Sequence, residues 1–437
     1  MQKVPSDQVD PETPQLPERV QQVLGELAAA AKEGLMALSV GVGLGVLEEL
    51  MAEEVDDLVG PRGKHDSDRT AYRHGEDEGE VTLGARRVGV KRPRARAADG
   101  SGEVALETYG HFASRDPLAG AVLERMLAGV STRRYRRVSE PVGTEVAQKE
   151  RSTSKSSVSR TFVERTRRAL EDLMARRLDD VRLAAIMLDG VDLKGRVHVV
   201  SMGITTDGVK LPLGLWEGST ENAAVATALL TDLVERGLDV AQGVLCVIDG
   251  SKALRKAVRD VFGDQAPVHR CVRHKERNIM AHLPERDRPA LRRRLRGAWA
   301  LDDHDRARDR LEMIAAELEN PRPGAAASLR EGLEETLTLQ RLAITGRLKK
   351  TLQSTNPIES MIEIVRKTQR NVKRWQSGEM AMRWTAAGML EAEQQFRRVI
   401  GYRDLAKLAV AIERERVSAH AGSQPVRDKE VRQPVTV

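Results

Sequence analysis

The sequence predicts a mixed α/β core flanked by helices, and three observations predict it. Two short apolar runs each close in Asp-Gly: LAAIMLDGVD at 183–192 and GVLCVIDG at 243–250. Between them lie two further strand-like stretches and one amphipathic helix. On both sides the apolar residues instead recur at helical spacing in charged surroundings. A short apolar run ended by a turn signal reads as a buried strand. Each of these runs delivers an aspartate, Asp189 and Asp249, where the strand leaves the core. Two such carboxylates suggest a site for a hard cation.

A chain of 437 residues has room for two to four domains. Hydrophobic residues make up 40% and charged residues 31%, the balance of a folded, soluble protein. Aromatics are only 3%, so the cores must be built from Leu, Val, Ala, Ile and Met. The net charge is +6, and residues 131–177 alone carry 13 Lys and Arg against 6 Asp and Glu. Positive charge concentrated in this way favours phosphate backbones, although a solvated basic helix face has the same composition. The two cysteines, Cys246 and Cys271, exclude a disulfide framework and a four-cysteine zinc site, and fit a reduced, cytoplasmic setting. No apolar stretch near the N-terminus suggests a signal peptide, and the run at 35–47 is too broken by glycine to suggest a membrane span.

Residues 1–17 are polar and Pro-rich and read as a disordered tail. Residues 18–110 read as an N-terminal helical region with a β-hairpin, expected to bind DNA. Helical spacing runs from Glu18 to Leu58, with Gly41, Gly43 and Gly45 expected to split it into two helices. A hairpin follows around Val81, Leu83, Val88 and Val90. Its outward positions, Arg86, Arg87, Lys91, Arg92, Arg94 and Arg96, suit either a charged solvent-facing edge or a DNA-facing ribbon. Residues 111–180 read as a helix-turn-helix domain. One helix ends at Gly129, Ser131 caps the next, and a Ser-rich basic helix begins at Ser154. Its expected phosphate contacts are Arg133, Arg134, Arg136, Arg137, Lys155, Ser156, Ser157 and Arg160. An ordinary helical hairpin is the plainer alternative.

Residues 181–284 are the first part of the core. LAAIMLDGVD, RVHVVSMGIT and KLPLGLWEG read as three antiparallel strands. ENAAVATALLTDLVER is then a helical crossover to GVLCVIDG, and Ser251 caps the next helix. Three antiparallel strands, a helix and a parallel strand are the topology of a ribonuclease-H-like core, in which Asp189 and Asp249 would be neighbours. Residues 285–350 are charged and helical throughout and read as an all-helical insertion. The core resumes over 351–417 with C-terminal helices, and 418–437 reads as a polar disordered tail.

A third acid is offered by STNPIES. Asn356 can cap a helix, Pro357 suits its first turn, and Glu359 then sits at the third helical position. That is also capping-box spacing, so Glu359 could bond back to its own cap. Glu363, one turn on, is a rival for the third acid. Asp192, close to Asp189 and counted on the same side of the strand, is a rival for the first. Arg366, Lys367, Arg370, Lys373 and Arg374 make a basic face beyond Glu359.

Asp189 in LDG, Asp249 in IDG, Cys271 and His274 in HRCVRHKERN and Glu359 in STNPIES together resemble the signature of the Mutator-type transposases of bacterial insertion sequences, which are DDE transposases. The resemblance extends to YRHGEDEGEVTLGARRVGVKRP, GVSTRRYRRV, SKSSVSR, LGLWEGSTENA and VKRWQSGEMAMRWTAAGMLEAE, and so covers most of the chain. It implies a ribonuclease-H-like core with a helical insertion between Asp249 and Glu359. It implies catalysis by Asp189, Asp249 and Glu359 with two Mg²⁺ (or Mn²⁺) ions, which need hard oxygen ligands. Asp189 would bridge the ions, and Asp249 and Glu359 would each complete one. Water would free a 3′-OH at the element's end, and that 3′-OH would attack a second phosphate. Cys271 and His274 would support the site without binding metal. The implied partners are double-stranded DNA, as terminal inverted repeats and target, and further copies of the chain in a dimer or larger synapse. A ribonuclease-H-like nuclease without strand transfer and a non-catalytic DNA-binding regulator are the alternatives.

Overall fold

The computed structural model describes residues 35–60, 62–63, 69–83, 85–116, 118–138, 150–152, 154–218, 222–263 and 266–422. The expected N-terminal tail, and the part of the C-terminal tail beyond 422, lie outside these residues. The chain divides into two compact units, Met1–Arg165 and Thr166–Val437.

In the first unit, α1 (Leu35–Val59) runs unbroken through Gly41, Gly43 and Gly45, contrary to the expected split. None of these glycines takes a positive φ, so the chain has no turn there. Val40, Leu47, Met51, Val55 and Val59 recur every four or seven residues and are buried. Their packing against a sheet stabilises the helix more than three glycines weaken it, since each buried side chain contributes about 1.5–3 kcal/mol. That sheet is the expected hairpin, but much longer. β1 (Ala71–Leu83) and β2 (Arg86–Ala97) pair antiparallel from Ala71↔Ala97 to Leu83↔Arg86. Pro93, which has no N–H to donate, stands opposite Glu76 where the register shifts. β3 (Glu103–Val104) and β4 (Glu150–Ser152) also pair with β2. Arg87 pairs with Glu80, Arg92 with Asp77 and Glu103, and Arg94 with Glu103. These arginines answer acids of their own sheet, as a charged edge does.

After α2 (Glu107–Ser114), α3 (Ala119–Leu127) ends at Gly129 in the left-handed region, as expected. The helix expected after Ser131 is only a 3₁₀ turn, Tyr135–Val138, among the described residues. Residues 139–149 lie outside the description. α4 (Lys155–Ala175) starts as expected, with Ser154 Oγ accepting from Ser157 N at 3.0 Å. The division between the units falls within α4, and its last turns pack in the second unit through Leu170, Leu173 and Met174.

The second unit holds a five-stranded sheet in the order β7-β6-β5-β8-β9. β5 (Leu183–Asp192), β6 (Val197–Thr205) and β7 (Lys210–Gly218) are successive antiparallel strands. α5 (Ala223–Glu235), capped by Asn222, crosses over to β8 (Leu245–Ile248), which lies parallel to β5. α6 (Lys252–Phe262) follows with its expected cap, Ser251. β9 (Val268–Arg270), not foreseen, extends the sheet parallel to β8. α5 and α6 cover one face through Leu229, Leu230, Leu254 and Val258. The other face is covered by α13 (Asn356–Thr368), α14 (Gly378–Gln394) and α15 (Leu405–Gly422). α15 runs on through 418–422, where the disordered tail was expected to begin.

Between the sheet and these helices come α7 (Val272–Ala281), α8 (Arg288–Ala300), α9 (His304–Glu319), α10 (Pro323–Arg330), α11 (Thr338–Arg341) and α12 (Gly346–Leu352). α7 to α10 share a separate apolar core around Leu295, Trp299, Leu311 and Leu329. α7 thus packs with the helical segment, which begins earlier than residue 285. No described helix is long and apolar enough to cross a membrane.

Candidate active site

The parity of two strands sets the site. In β5, Ala185, Met187 and Val191 face the layer of α13 to α15, whereas Ile186 and Leu188 face α5 and α6. Asp189 shares the odd face, and only 8% of its surface is exposed. β8 alternates the same way, with Val247 on the α13 side and Cys246 and Ile248 opposite. The parallel register aligns Leu188 with Ile248. The next residues on the two chains are Asp189 and Asp249, on one face and about one strand spacing, ~4.8 Å, apart. Asp249 Oδ1 accepts from Ser251 N at 2.7 Å, which fixes its carboxylate at the turn into α6.

The third acid comes from α13, whose Ile358, Met361, Ile362 and Val365 pack on that same face of the sheet. The helix starts at Asn356 with Thr355 as its cap residue, one position earlier than expected. The capping-box alternative is met in part: no side chain caps the backbone at this end, but Glu359 does bond back to its cap residue, through the hydroxyl rather than the N–H. Glu359 Oε1 accepts from Thr355 Oγ1 at 3.0 Å and lies 3.8 Å from His274 Nδ1. The Thr355 hydroxyl has one proton to donate. Given to Glu359, it leaves Oγ1 to accept from His274 Nδ1 at 3.3 Å. Thr355 N donates to Cys271 Sγ at 3.4 Å, and Cys271 N donates to Ile248 O at 2.8 Å, beside Asp249. A continuous run of bonds therefore joins the end of β8 to Glu359.

Burial alone would push the Cys271 thiol up, but hydrogen bonds with His274 and Thr355 outweigh it and hold it below its ordinary value. The bond to Cys271 in turn holds His274 above its ordinary range against burial, and the charges of Cys271, Asp189 and Asp249 add to this. His274 thus senses both aspartates while lying against Glu359.

Both rivals point elsewhere. Asp192 is three residues from Asp189, an odd offset, so it takes the opposite face of the strand, contrary to the expected same side. It is exposed, and its Oδ1 accepts from Gly195 N at 2.8 Å in the hairpin turn. Glu363 is exposed and pairs with Lys367 at 3.1 Å. Arg366, Lys367, Arg370, Lys373 and Arg374 are all exposed, the first three along the outer side of α13 and its end. In the other unit Arg133, Arg134, Lys155, Ser156 and Arg160 are exposed and Ser157 half-buried. The side chains of Arg136 and Arg137 lie outside the description.

Among the described residues, no three His, Cys, Asp or Glu side chains form a group that could hold a metal ion unaided. Mg²⁺, however, is usually held by one or two carboxylates, with substrate phosphates and water completing its shell. Asp189 and Asp249 fit that donor chemistry.

Residues 17–399 match the family model described as Transposase, Mutator family. The chain belongs to the Mutator family of transposases. Among its relatives is the transposase for insertion sequence element IS256 in transposon Tn4001 of Staphylococcus aureus. It is 27% identical over 339 residues, covering 75% of this chain and 83% of the relative. The transposase for insertion sequence element ISRM5 of Rhizobium meliloti is 26% identical over 354 residues, covering 80% and 86%. That for IS6120 of Mycolicibacterium smegmatis is 29% identical over 198 residues, covering 44% and 60%.

Two residues of this Mutator-family transposase escaped sequence reasoning. Thr355 is wholly buried and links three site side chains. Its only signal was a polar residue before Asn-Pro. Lys194 stands in the β5–β6 turn with φ 56, and its ammonium donates to Gln369 O at 2.6 Å and to Val372 O. Nothing local in DLKGR signals that reach.

Proposed function

We propose that this transposase binds the ends of an insertion sequence and cuts and joins DNA with divalent metal, on a ribonuclease-H-like core whose acids are Asp189, Asp249 and Glu359. The observation that carries the reading is the parallel register of β5 and β8, which brings two aspartates side by side on the face that α13 covers. The strand order, with three antiparallel strands followed by parallel β8 and β9, supports it.

Asp189 and Asp249 would hold Mg²⁺ (or Mn²⁺) between them, and Glu359 would complete the set. Two such ions, when bound, activate the attacking oxygen and stabilise the leaving one in an in-line displacement. His274 and Thr355 orient Glu359, and Cys271 ties them to the end of β8. Arg366, Lys367, Arg370, Lys373 and Arg374 would follow the DNA beside the cut. Arg133, Arg134, Arg136, Arg137, Lys155, Ser156, Ser157 and Arg160 would contact phosphates of the terminal repeats. Residues 18–110 and 111–180 would thus serve end binding, and 181–284 with 351–417 the chemistry. Joining requires two ends held together, so the working form would be a dimer or larger.

The test uses the full chain, Mg²⁺ and a labelled duplex carrying the element's end. Asp189→Asn, Asp249→Asn and Glu359→Gln should each lower cleavage and joining on the order of 100-fold or more while end binding persists, because each removes a ligand for transition-state charge. Glu363→Gln should behave as the unaltered chain. Full joining by Glu359→Gln would overturn the assignment of the third acid. Cut but never joined ends would reduce the activity to that of a nuclease.

A further inference from the structure

We infer that the groove between α8 and α9 is a second DNA-binding surface, which takes the phosphate backbone of duplex DNA. The inference rests on the reading of the chain as a DNA-joining enzyme. The groove has a volume of about 700 Å³. Arg293, Gly297 and Leu301 line one wall at four-residue spacing, and Arg306, Arg310 and Met313 line the other. Arg293 and Gly297 share one face of α8, with Leu301 just past its end, and the second row is one face of α9.

Among the described residues most arginines of 285–350 meet acids, Arg294 of this lining included, through Glu317; Arg347 does not. Arg292 and Arg296 hold Glu276, Arg322 holds Asp287, and Arg330 holds Glu312 and Glu319. Among the described residues, no acid pairs with the guanidinium of Arg293, Arg306 or Arg310. The one acid in the lining, Asp309, faces Arg308 at 3.5 Å. Three cations left facing one another repel, and an anion between them removes that repulsion.

Gly297 is an independent observation. It lies inside α8, where glycine is among the poorest helix formers. A Cβ there would meet nothing within 4 Å, so packing within the protein does not require glycine. A side chain at this position would stand in the groove instead. Glycine suits a place where another backbone approaches closely.

The partner follows from the lining. Unpaired arginines suit phosphate. No aromatic side chain lines the groove, so the base-stacking platform that single strands use is missing. Arg306 and Arg310 are one helical turn apart, about 6 Å along the axis, and can reach separate phosphates of one strand.

Binding of the full chain to an end duplex and to a scrambled duplex of equal length, measured across salt concentrations, tests this. Counterion release gives a slope of about 0.9 per phosphate contact. The triple variant Arg293→Gln, Arg306→Gln, Arg310→Gln should weaken binding to both duplexes and lower the slope by roughly 2–3. The variant Arg296→Gln, Arg322→Gln, Arg330→Gln loses the same charge from paired positions outside the lining and should leave the slope nearly unchanged. Gly297→Leu should weaken binding while raising the melting temperature. Equal slopes in the two triple variants, or unchanged binding by Gly297→Leu, overturn the groove while leaving the transposase reading intact. An unaltered chain that binds neither duplex overturns both.

Discussion

Glu359 is aimed from its own helix end, through the Thr355 hydroxyl that Cys271 and His274 also contact. Thr355→Val keeps the shape and removes the hydroxyl. Loss of an outer hydrogen bond to a metal-binding group typically costs 10–100-fold. Thr355→Val should therefore lower joining by about that factor and shift its Mg²⁺ requirement upward, while Thr355→Ser restores both. If Thr355→Val matches the unaltered chain at every Mg²⁺ concentration, the hydroxyl does not position Glu359. At this scale the sequence was legible where a residue ended a strand. Asp189 and Asp249 stood out because an apolar run stopped at each. Asp192 was misread because its face depends on counting residues along a strand, where an odd offset reverses direction. The partner of Glu359 was hidden, because capping-box spacing and a side-chain bond to Thr355 look alike in one dimension.

The β5–β6 turn links two elements that carry the acids. Leu193 and Arg196 exchange backbone bonds around Lys194 and Gly195, both with positive φ. The Lys194 ammonium reaches carbonyls at the end of α13, and Trp375 Nε1 donates to Leu193 O at 2.6 Å. The strand of Asp189 is thereby fixed to the helix of Glu359. Lys194→Ala loses both bonds of a charged donor and should lower stability by roughly 1.5–3 kcal/mol. Lys194→Gly loses the same bonds but relieves a left-handed backbone worth roughly 1–2 kcal/mol, so its melting temperature should fall less than that of Lys194→Ala. Both variants should join DNA more slowly. Normal joining by both, at either stability, would show that the clamp is not needed to align the acids. Elements were legible in proportion to their apolar runs. β5 to β8 carry long ones. β9 has three residues, of which one is aliphatic, and gave no signal. The turn after Ser131 carried a cap and a basic run but too little apolar periodicity for a full helix.

Across the whole molecule, the convergence of three acids far apart in the sequence was not legible from spacing. It depends on a parallel register and on the segment 268–274, which joins the sheet edge to the helical insertion. Within that segment His269 is fully buried, and among the described residues neither ring nitrogen has a hydrogen-bond partner. Burial depresses it to about 4; the nearby Gln353 backbone opposes this, and the charge of Lys349 from α12 adds to it to a smaller degree. A histidine buried neutral binds its proton more tightly when the chain unfolds. Its contribution to stability is therefore complete above the unfolded value, about 6.5, and is lost as pH falls from there through about 4. By linkage the loss is roughly 2 kcal/mol by pH 5. His198, also buried and depressed by burial, adds in the same direction. His274, held above its ordinary range, acts in the opposite direction, so the contribution is read as a difference: between pH 7 and pH 5 the unaltered chain should lose roughly 2 kcal/mol relative to His269→Gln, whatever the effect of the substitution at pH 7. Denaturant titrations at the two pH values measure the difference directly. Parallel falls in the variant and the unaltered chain would mean that His269 gains a proton without cost, and that β9 opens to water well before the sheet unfolds.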